Sequence, residues 1–331
     1  MIDAEELEAQ LASLKYARYR LQFAAATPLE LPPYKGSTFR GAFGAAFKQI
    51  ACIRPDRECA SCLVREQCAY RRFFETPVDA PPAAGGNGRT YTHAPHPFLI
   101  EPPLAGRQHY APGERFAVGL VLMGEAVARL PYFVYAFERS AARGVGRGRG
   151  RLELLGMEAW YGAEWVHVYE PANGILTADL PVFAGAPPAR RPADPGQPLR
   201  LRLRTPARLK SGGQLERTLP FGLLVRSLLR RLADLIQFHC AARLELDFGA
   251  WARAAAQIPC VEERLHWQDW ERYSRRQDTH MRLGGVVGEV AYGGDWAPFA
   301  PLVRLGEVVH VGKGTAFGLG QYEVMDEEVG A

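Results

Sequence analysis

Lysine is scarce in this 331-residue chain: five, against 35 arginines, a skew better explained by codon bias than by chemistry. Long apolar runs are missing as well. No stretch approaches the ~20 apolar residues that span a bilayer. The start, Met1-Ile-Asp-Ala-Glu-Glu, is acidic and has no signal-peptide core, so a cytoplasmic protein is expected. Six cysteines do not describe a disulfide scaffold in a chain of this size. The net charge of +4 does not by itself require a polyanionic partner.

What is present is ordinary in amount and uneven in placement. Hydrophobic content of 47% and charged content of 23% suit a folded soluble protein, and the length exceeds the usual single core, which predicts two domains. Between Arg200 and Arg231 stand nine basic residues against one acid, Glu216; between Arg139 and Arg151 stand five arginines and no acid. Such local excess is the footprint expected of a phosphate-backbone partner.

Lys15 to Phe23 alternates as a strand with one buried face, broken by Pro32 and Pro33. Ser37 is placed to cap a helix carrying Phe39, Phe43, Phe47 and Ile50. Strands are predicted at 96–100 and 116–123, a helix at 131–143 and a strand at 151–155, the β-α-β-β-α-β order. The Pro- and Gly-rich stretch 183–198 reads as a linker, dividing domain 1–182 from domain 199–331. Beyond it, Leu199 to Arg204 alternates leucine and arginine, Leu219 to His239 is the best amphipathic helix, 281–292 is a glycine-rich strand or hairpin, and 298–310 is helix-like. The fold class is therefore α+β, with two tandem ferredoxin-like (RRM-like) units.

The most informative segment runs from Gly312 through Lys313, Gly314, Thr315, Gly318 and Gly320 into a short strand. Glycines let backbone N–H groups approach a phosphate because no Cβ intervenes. An echo, Gly144 to Gly150 with Arg147 and Arg149, also lies between a helix and a strand. A nucleotide-binding P-loop fails on spacing: Gly306 precedes Gly312 by six positions, Lys313 is followed by Gly314, and a strand rather than a helix comes next. A tight glycine-rich turn remains the alternative reading for both loops.

Cys52, Cys59, Cys62 and Cys68 follow C-x₆-C-x₂-C-x₅-C in an insertion of about 52–113. Four thiolates can complete a tetrahedral structural Zn²⁺. An iron–sulfur cluster and metal-free reduced thiols are the alternatives.

Tyr34-Lys-Gly-Ser-Thr-Phe-Arg-Gly-Ala-Phe-Gly44, Leu209-Lys-Ser-Gly-Gly213, Arg272-Tyr-Ser-Arg-Arg-Gln277, Gly284-Gly-Val-Val-Gly288 and His310 to Gly320 give the chain a family likeness. It resembles the RAMP superfamily of CRISPR-associated proteins, and within it the Cas-six endoribonucleases that process precursor CRISPR RNA. The resemblance implies binding of the CRISPR repeat RNA and one metal-independent cut per repeat, leaving a 2′,3′-cyclic phosphate and a 5′-hydroxyl. It implies no catalytic cofactor, and an interference complex as a further partner. Family members often carry a histidine on or near the first helix; here that helix has none. The candidates for proton transfer and charge stabilisation are then His310, Lys313, Tyr34 and Lys35. Arg147, Arg149, Lys210, Arg275, Arg276 and the glycine loop are the candidate RNA contacts, although Arg272, Arg275 and Arg276 read equally as a solvated helix face. A RAMP subunit that binds CRISPR RNA without cutting it, and an unrelated zinc-stabilised DNA-binding regulator, are the rival functions.

Overall fold

Why the chain forms two sheets of the same order is visible in its burial alternation. The computed structural model describes residues 2–54, 59, 61–78, 93–188, 196–274 and 279–325. They fall into two units. The N-terminal unit holds Tyr16–Val182 and Phe238–Ala241; the C-terminal unit holds Met1–Lys15, Phe183–Gln237 and Ala242–Ala331. Of the 183–198 segment, residues 189–195 lie outside the described residues.

In the N-terminal unit, β1 (Lys15–Ala25) is followed by α2 (Gly36–Ala51), β2 (Phe98–Glu101), β3 (Arg115–Met123), α3 (Leu130–Arg143), β4 (Leu152–Trp160) and β5 (Trp165–Glu170); α1 (Ala4–Leu11) precedes them. The sheet runs β2-β3-β1-β4-β5, all antiparallel. Taking the four strands of the repeat alone gives the order 2-3-1-4. Leu21, Phe23, Val118 and Leu120 face the helices, where Phe43 packs on Phe98, Phe133 and Phe137 at ring separations of 5.5, 5.5 and 4.9 Å. Burial of such rings is the main favourable contribution to this unit. The Ser37 cap is not formed: α2 starts at Gly36, and Lys35 occupies the cap position without a side-chain bond.

The C-terminal unit repeats the pattern: β6 (Leu199–Ala207), α4 (Phe221–His239), α5 (Phe248–Ala255), β7 (Cys260–Gln268), β8 (Gly285–Tyr292), α6 (Ala300–Val309) and β9 (Tyr322–Val324). Its sheet runs β7-β8-β6-β9, again 2-3-1-4. Leu199, Leu201 and Leu203 are buried, as are Leu224, Leu228, Leu232 and Leu235 along α4. Both units are therefore ferredoxin-like. Helix α1 packs on α6 in this unit, and Asp3 accepts from the N–H groups of Glu5 and Glu6 at its start. The segment around Arg272 is not helical: Glu271–Ser274 pairs with Thr279–Arg282 as a hairpin. Arg275 and Arg276 lie outside the described residues.

Candidate nucleic-acid interface

The glycine loop of the C-terminal unit is assembled on the end of β6. Val311 N–H donates to Gly320 C=O and Gly320 N–H to Pro206 C=O, each at 3.0 Å, which closes the loop like a clasp. Thr205, fully buried, donates its hydroxyl to Gly318 C=O at 2.8 Å and accepts from Gln321 N–H at 2.9 Å. Gly320 has φ +70°, and a Cβ there would run into the Val311 carbonyl oxygen. Gly312 has φ +85°, with room for no more than a hydrogen on the side facing Arg208, whose carbonyl a Cβ would approach to 2.8 Å. These glycines are needed to build the loop. The turn reading and the phosphate reading are therefore compatible.

The loop is buried along Thr315, Ala316 and 318–320, but Lys313 is exposed, and Gly312 and Gly314 beside it are partly exposed. Lys313 N–H donates to Arg208 C=O at 3.0 Å. Among the described residues no hydrogen bond takes up the N–H groups of Gly314, Thr315 or Ala316. Two residues after Arg208, Lys210 and Ser211 pair with Leu215 and Gln214 in an exposed hairpin that turns at Gly212-Gly213. Burial pushes the Arg208 guanidinium below its ordinary range, with Asp269 partly offsetting this. The tip thus presents Lys313, Lys210 and the half-buried Arg208 beside the N–H group of the partly exposed Gly314, which can donate to an anion.

The cationic run along β6 has a different use. Arg200 pairs with Glu262 at 2.6 Å, Arg202 with Glu289 at 2.9 Å and Glu323 at 3.5 Å, and Arg204 with Glu323 at 2.8 Å. Glutamates 62 to 121 positions away neutralise these arginines. The local excess of positive charge read from the sequence is cancelled on this face of the sheet. Arg231 is also diverted: its Nε donates to Val309 C=O at 2.6 Å, satisfying an end carbonyl of α6. Burial lowers its guanidinium to about 10 despite Asp234.

Three of the four candidate proton-transfer groups are sealed. His310 is 0% exposed and ends α6 with φ +58°, its N–H bonded to Gly306 C=O at 2.9 Å. Tyr34 is 7% exposed, and burial raises its phenol far above the ordinary value. Lys35 is 1% exposed; its Nζ donates to Ala105 C=O at 2.8 Å and Pro33 C=O at 3.3 Å, and burial lowers its pKa. In this conformation His310 and Lys35 are closed to solvent and Tyr34 nearly so, and a proton-transfer role for any of them requires the protein to open around it. Only Lys313 is exposed. Lys35 differs from the other two in being covered by the exposed 103–109 loop.

In the N-terminal unit the echo loop is built in the same way. Arg147 N–H donates to Glu30 C=O at 3.0 Å, as Lys313 N–H does to Arg208 C=O in the other unit. Arg147 stays largely exposed beside Glu30, at 3.4 Å, and Arg149 is exposed. Sequence reasoning missed the outer face of α3. Tyr132 and Tyr135 are 44% and 47% exposed, and Arg139 lies over the Tyr135 ring at 5.9 Å. Arg129 and Arg143 are exposed on the same helix face. Glu138, the sole acid of α3, accepts from the Tyr169 hydroxyl. The aromatic–arginine spacing on one helix face was the available signal.

The four cysteines all lie in the N-terminal unit, each half-buried. Among the described residues no group of three or more His, Cys, Asp or Glu side chains stands ready to hold a metal.

Two family models divide the chain. An N-terminal-domain model, AF_1859_N, matches residues 14–180, and the model for the CRISPR-associated endoribonuclease Cas6 matches residues 201–322. An uncharacterized protein of Archaeoglobus fulgidus is 23% identical over 326 residues, covering 95% of this chain and 98% of its own. Among solved structures, a Thermus thermophilus Cas6 in its product complex superposes with a TM-score of 0.54 at 15% identity, covering 94% of this chain and all of its own. A partial Cas6-RT-Cas1–Cas2 complex gives 0.54 at 13% identity, covering 96% of this chain and 47% of that one. The fold is that of the tandem ferredoxin-like CRISPR-associated proteins. The AF_1859_N model spans half of the chain, which therefore belongs to that family by its N-terminal domain, and the C-terminal unit matches the Cas6 endoribonuclease model.

Proposed function

We propose that the protein is an endoribonuclease that binds the CRISPR repeat of the precursor transcript and cuts it once per repeat. The observation that carries this reading is the exposed, cationic, glycine-built tip at Gly312–Gly314 on a Cas6-family C-terminal unit. In the proposed reaction the ribose 2′-hydroxyl attacks the adjacent phosphorus. A 2′,3′-cyclic phosphate forms, and the P–O5′ bond breaks to leave a 5′-hydroxyl. The 2′-hydroxyl proton must be removed and one delivered to the leaving oxygen. With the nucleophile inside the substrate, no catalytic metal is required.

Lys313 and the N–H groups beside it would hold the phosphate and offset charge on the phosphorane. Arg208 and Lys210 would continue the contact along the backbone. In the other unit Arg139, Arg143, Arg147 and Arg149 would hold further phosphates, and Tyr132 and Tyr135 would stack on unpaired bases. Lys35 becomes available for proton transfer when the loop over it lifts. Its lowered pKa suits that task.

The burial of Tyr34, Lys35 and His310 favours a second reading, a RAMP subunit that retains CRISPR RNA within an interference complex without cutting it. Incubating the purified protein with its own repeat RNA in EDTA separates the two. Cleavage that a single 2′-deoxy substitution at the scissile nucleotide abolishes supports the enzyme. Intact RNA bound at stoichiometry supports the binding subunit, and tighter binding of duplex DNA than repeat RNA would remove both.

A further inference from the structure

Four cysteines that the RNA reading leaves unused stand between α2 and the aromatic core of the N-terminal unit. Cys52 ends α2, its N–H bonded to Lys48 C=O at 3.0 Å. The chain then turns in steps: Cys62 N–H to Cys59 C=O, Arg65 N–H to Cys62 C=O and Cys68 N–H to Arg65 C=O, each at 3.3 Å. Cys68 C=O accepts from Arg72 N–H at 2.9 Å, at the start of a π-helix, Tyr70–Glu75. Tyr70, Phe73 and Phe74 of that helix are buried, and Tyr70 packs on Phe47 at 6.2 Å. The first and last cysteines are therefore fixed by the hydrophobic core.

Among the described residues between them, no large apolar side chain is buried. Ile53 is 74% exposed and Leu63 99% exposed, while all four cysteines are half-buried. Cys59, seven positions from Cys52 and nine from Cys68, lies within the electrostatic field of both.

We propose that Cys52, Cys59, Cys62 and Cys68 bind one structural Zn²⁺ as a tetrahedral tetrathiolate. Four soft donors within 17 residues, two of them in a C-x₂-C turn, match the donor set and count that zinc takes in closed sites. On binding, four thiols release four protons and the Zn(S-Cys)₄ centre carries net charge −2. Lys48, at the end of α2, and Arg54, which donates to Ser61 C=O at 2.8 Å, supply positive charge on the same segment. Because the thiols do not yet stand in ligating geometry, the ion would draw the turn together, and its binding free energy becomes ordering free energy for the insertion. The site lies at the C-terminal end of α2, whereas Lys35 lies at the N-terminal end, so the ion's role is structural. The inference does not depend on whether RNA is cut.

The test is metal analysis of the full chain purified under reducing conditions, followed by titration with a mercurial in the presence of a zinc-binding dye. About one zinc per chain, released as the thiols are blocked, is expected. Cys62→Ser and Cys68→Ser should lose the zinc and become sensitive to proteolysis between residues 52 and 68; Cys240→Ser and Cys260→Ser should keep it. Iron in place of zinc, no metal in the wild-type chain, or full zinc retention in the Cys62→Ser/Cys68→Ser double variant would overturn the proposal. Should the double variant fail to fold, the wild-type metal content and mercurial release still decide.

Discussion

Replacing Gly320 with alanine should damage the phosphate-binding loop at its closure rather than at its tip. The residue adopts φ +70°, and the new Cβ would collide with the Val311 carbonyl oxygen. A non-glycine residue in the left-handed region costs about 1–2 kcal/mol. Relief of the collision would sacrifice the bonds from Val311 N–H to Gly320 C=O and from Gly320 N–H to Pro206 C=O. Each contributes about 0.5–1.5 kcal/mol. The sum is about 2–5 kcal/mol, which lowers the melting temperature of a unit this size by roughly 10 °C. Gly41→Ala is the matched comparison: an added Cβ on α2 meets nothing within 4 Å. It should raise stability by about 0.5–1 kcal/mol. Circular dichroism melts measure both, and repeat-RNA binding well below the transition reports the loop separately. A Gly320→Ala protein that melts with the wild type would refute the loop's construction as described.

Lys313→Ala should weaken repeat-RNA binding and flatten its salt dependence. One phosphate contact on a single strand carries about 2.6-fold of affinity between 50 and 200 mM salt, and an unchanged slope would remove Lys313 from the interface. Lys35→Met should destabilise the N-terminal unit by about 1–3 kcal/mol, because the Ala105 and Pro33 carbonyls lose their buried donor, and should slow cleavage well below the transition; unchanged cleavage there would remove Lys35 from the chemistry. Burial raises Tyr16 to about 12, above its unfolded value of 10.0. Its contribution is therefore fully present below pH 10 and is lost as pH rises towards 12, at up to about 1.4 kcal/mol per pH unit. Tyr16→Phe should lessen the alkaline loss seen in denaturant titrations, and an identical pH profile would refute that assignment.

The repeated β-α-β-β-α-β order was legible because its strands and helices carry one-sided burial: Leu199 to Leu203 alternates, and the leucines of α4 share a face. Strand β7 was not legible. Among the described residues it pairs with β8 alone and has no fully buried residue, so its Cys260-Val-Glu-Glu-Arg-Leu-His-Trp-Gln268 lacks the alternation of a buried strand. The Arg272 segment misled for a similar reason, since its polar residues carry no periodicity that separates a hairpin from a solvated helix. At the candidate site, the loop's position was legible in its glycines, but the exposure of its neighbours was not. His310 is two residues from Gly312 and wholly enclosed, whereas Lys313 is one residue beyond it and exposed. Charge was the least legible property, because the glutamates that neutralise Arg200, Arg202 and Arg204 arrive from strands distant in sequence.

Helix α1 has a consequence for synthesis. It is translated well before its docking partner, for Leu7 and Leu11 are buried in a unit whose α6 begins at Ala300. At ribosomal speeds of 5–20 residues per second, its docking surface emerges roughly 15–60 s later. An amphipathic peptide must wait that long in the nascent chain, and a truncated transcript would release it with nowhere to dock.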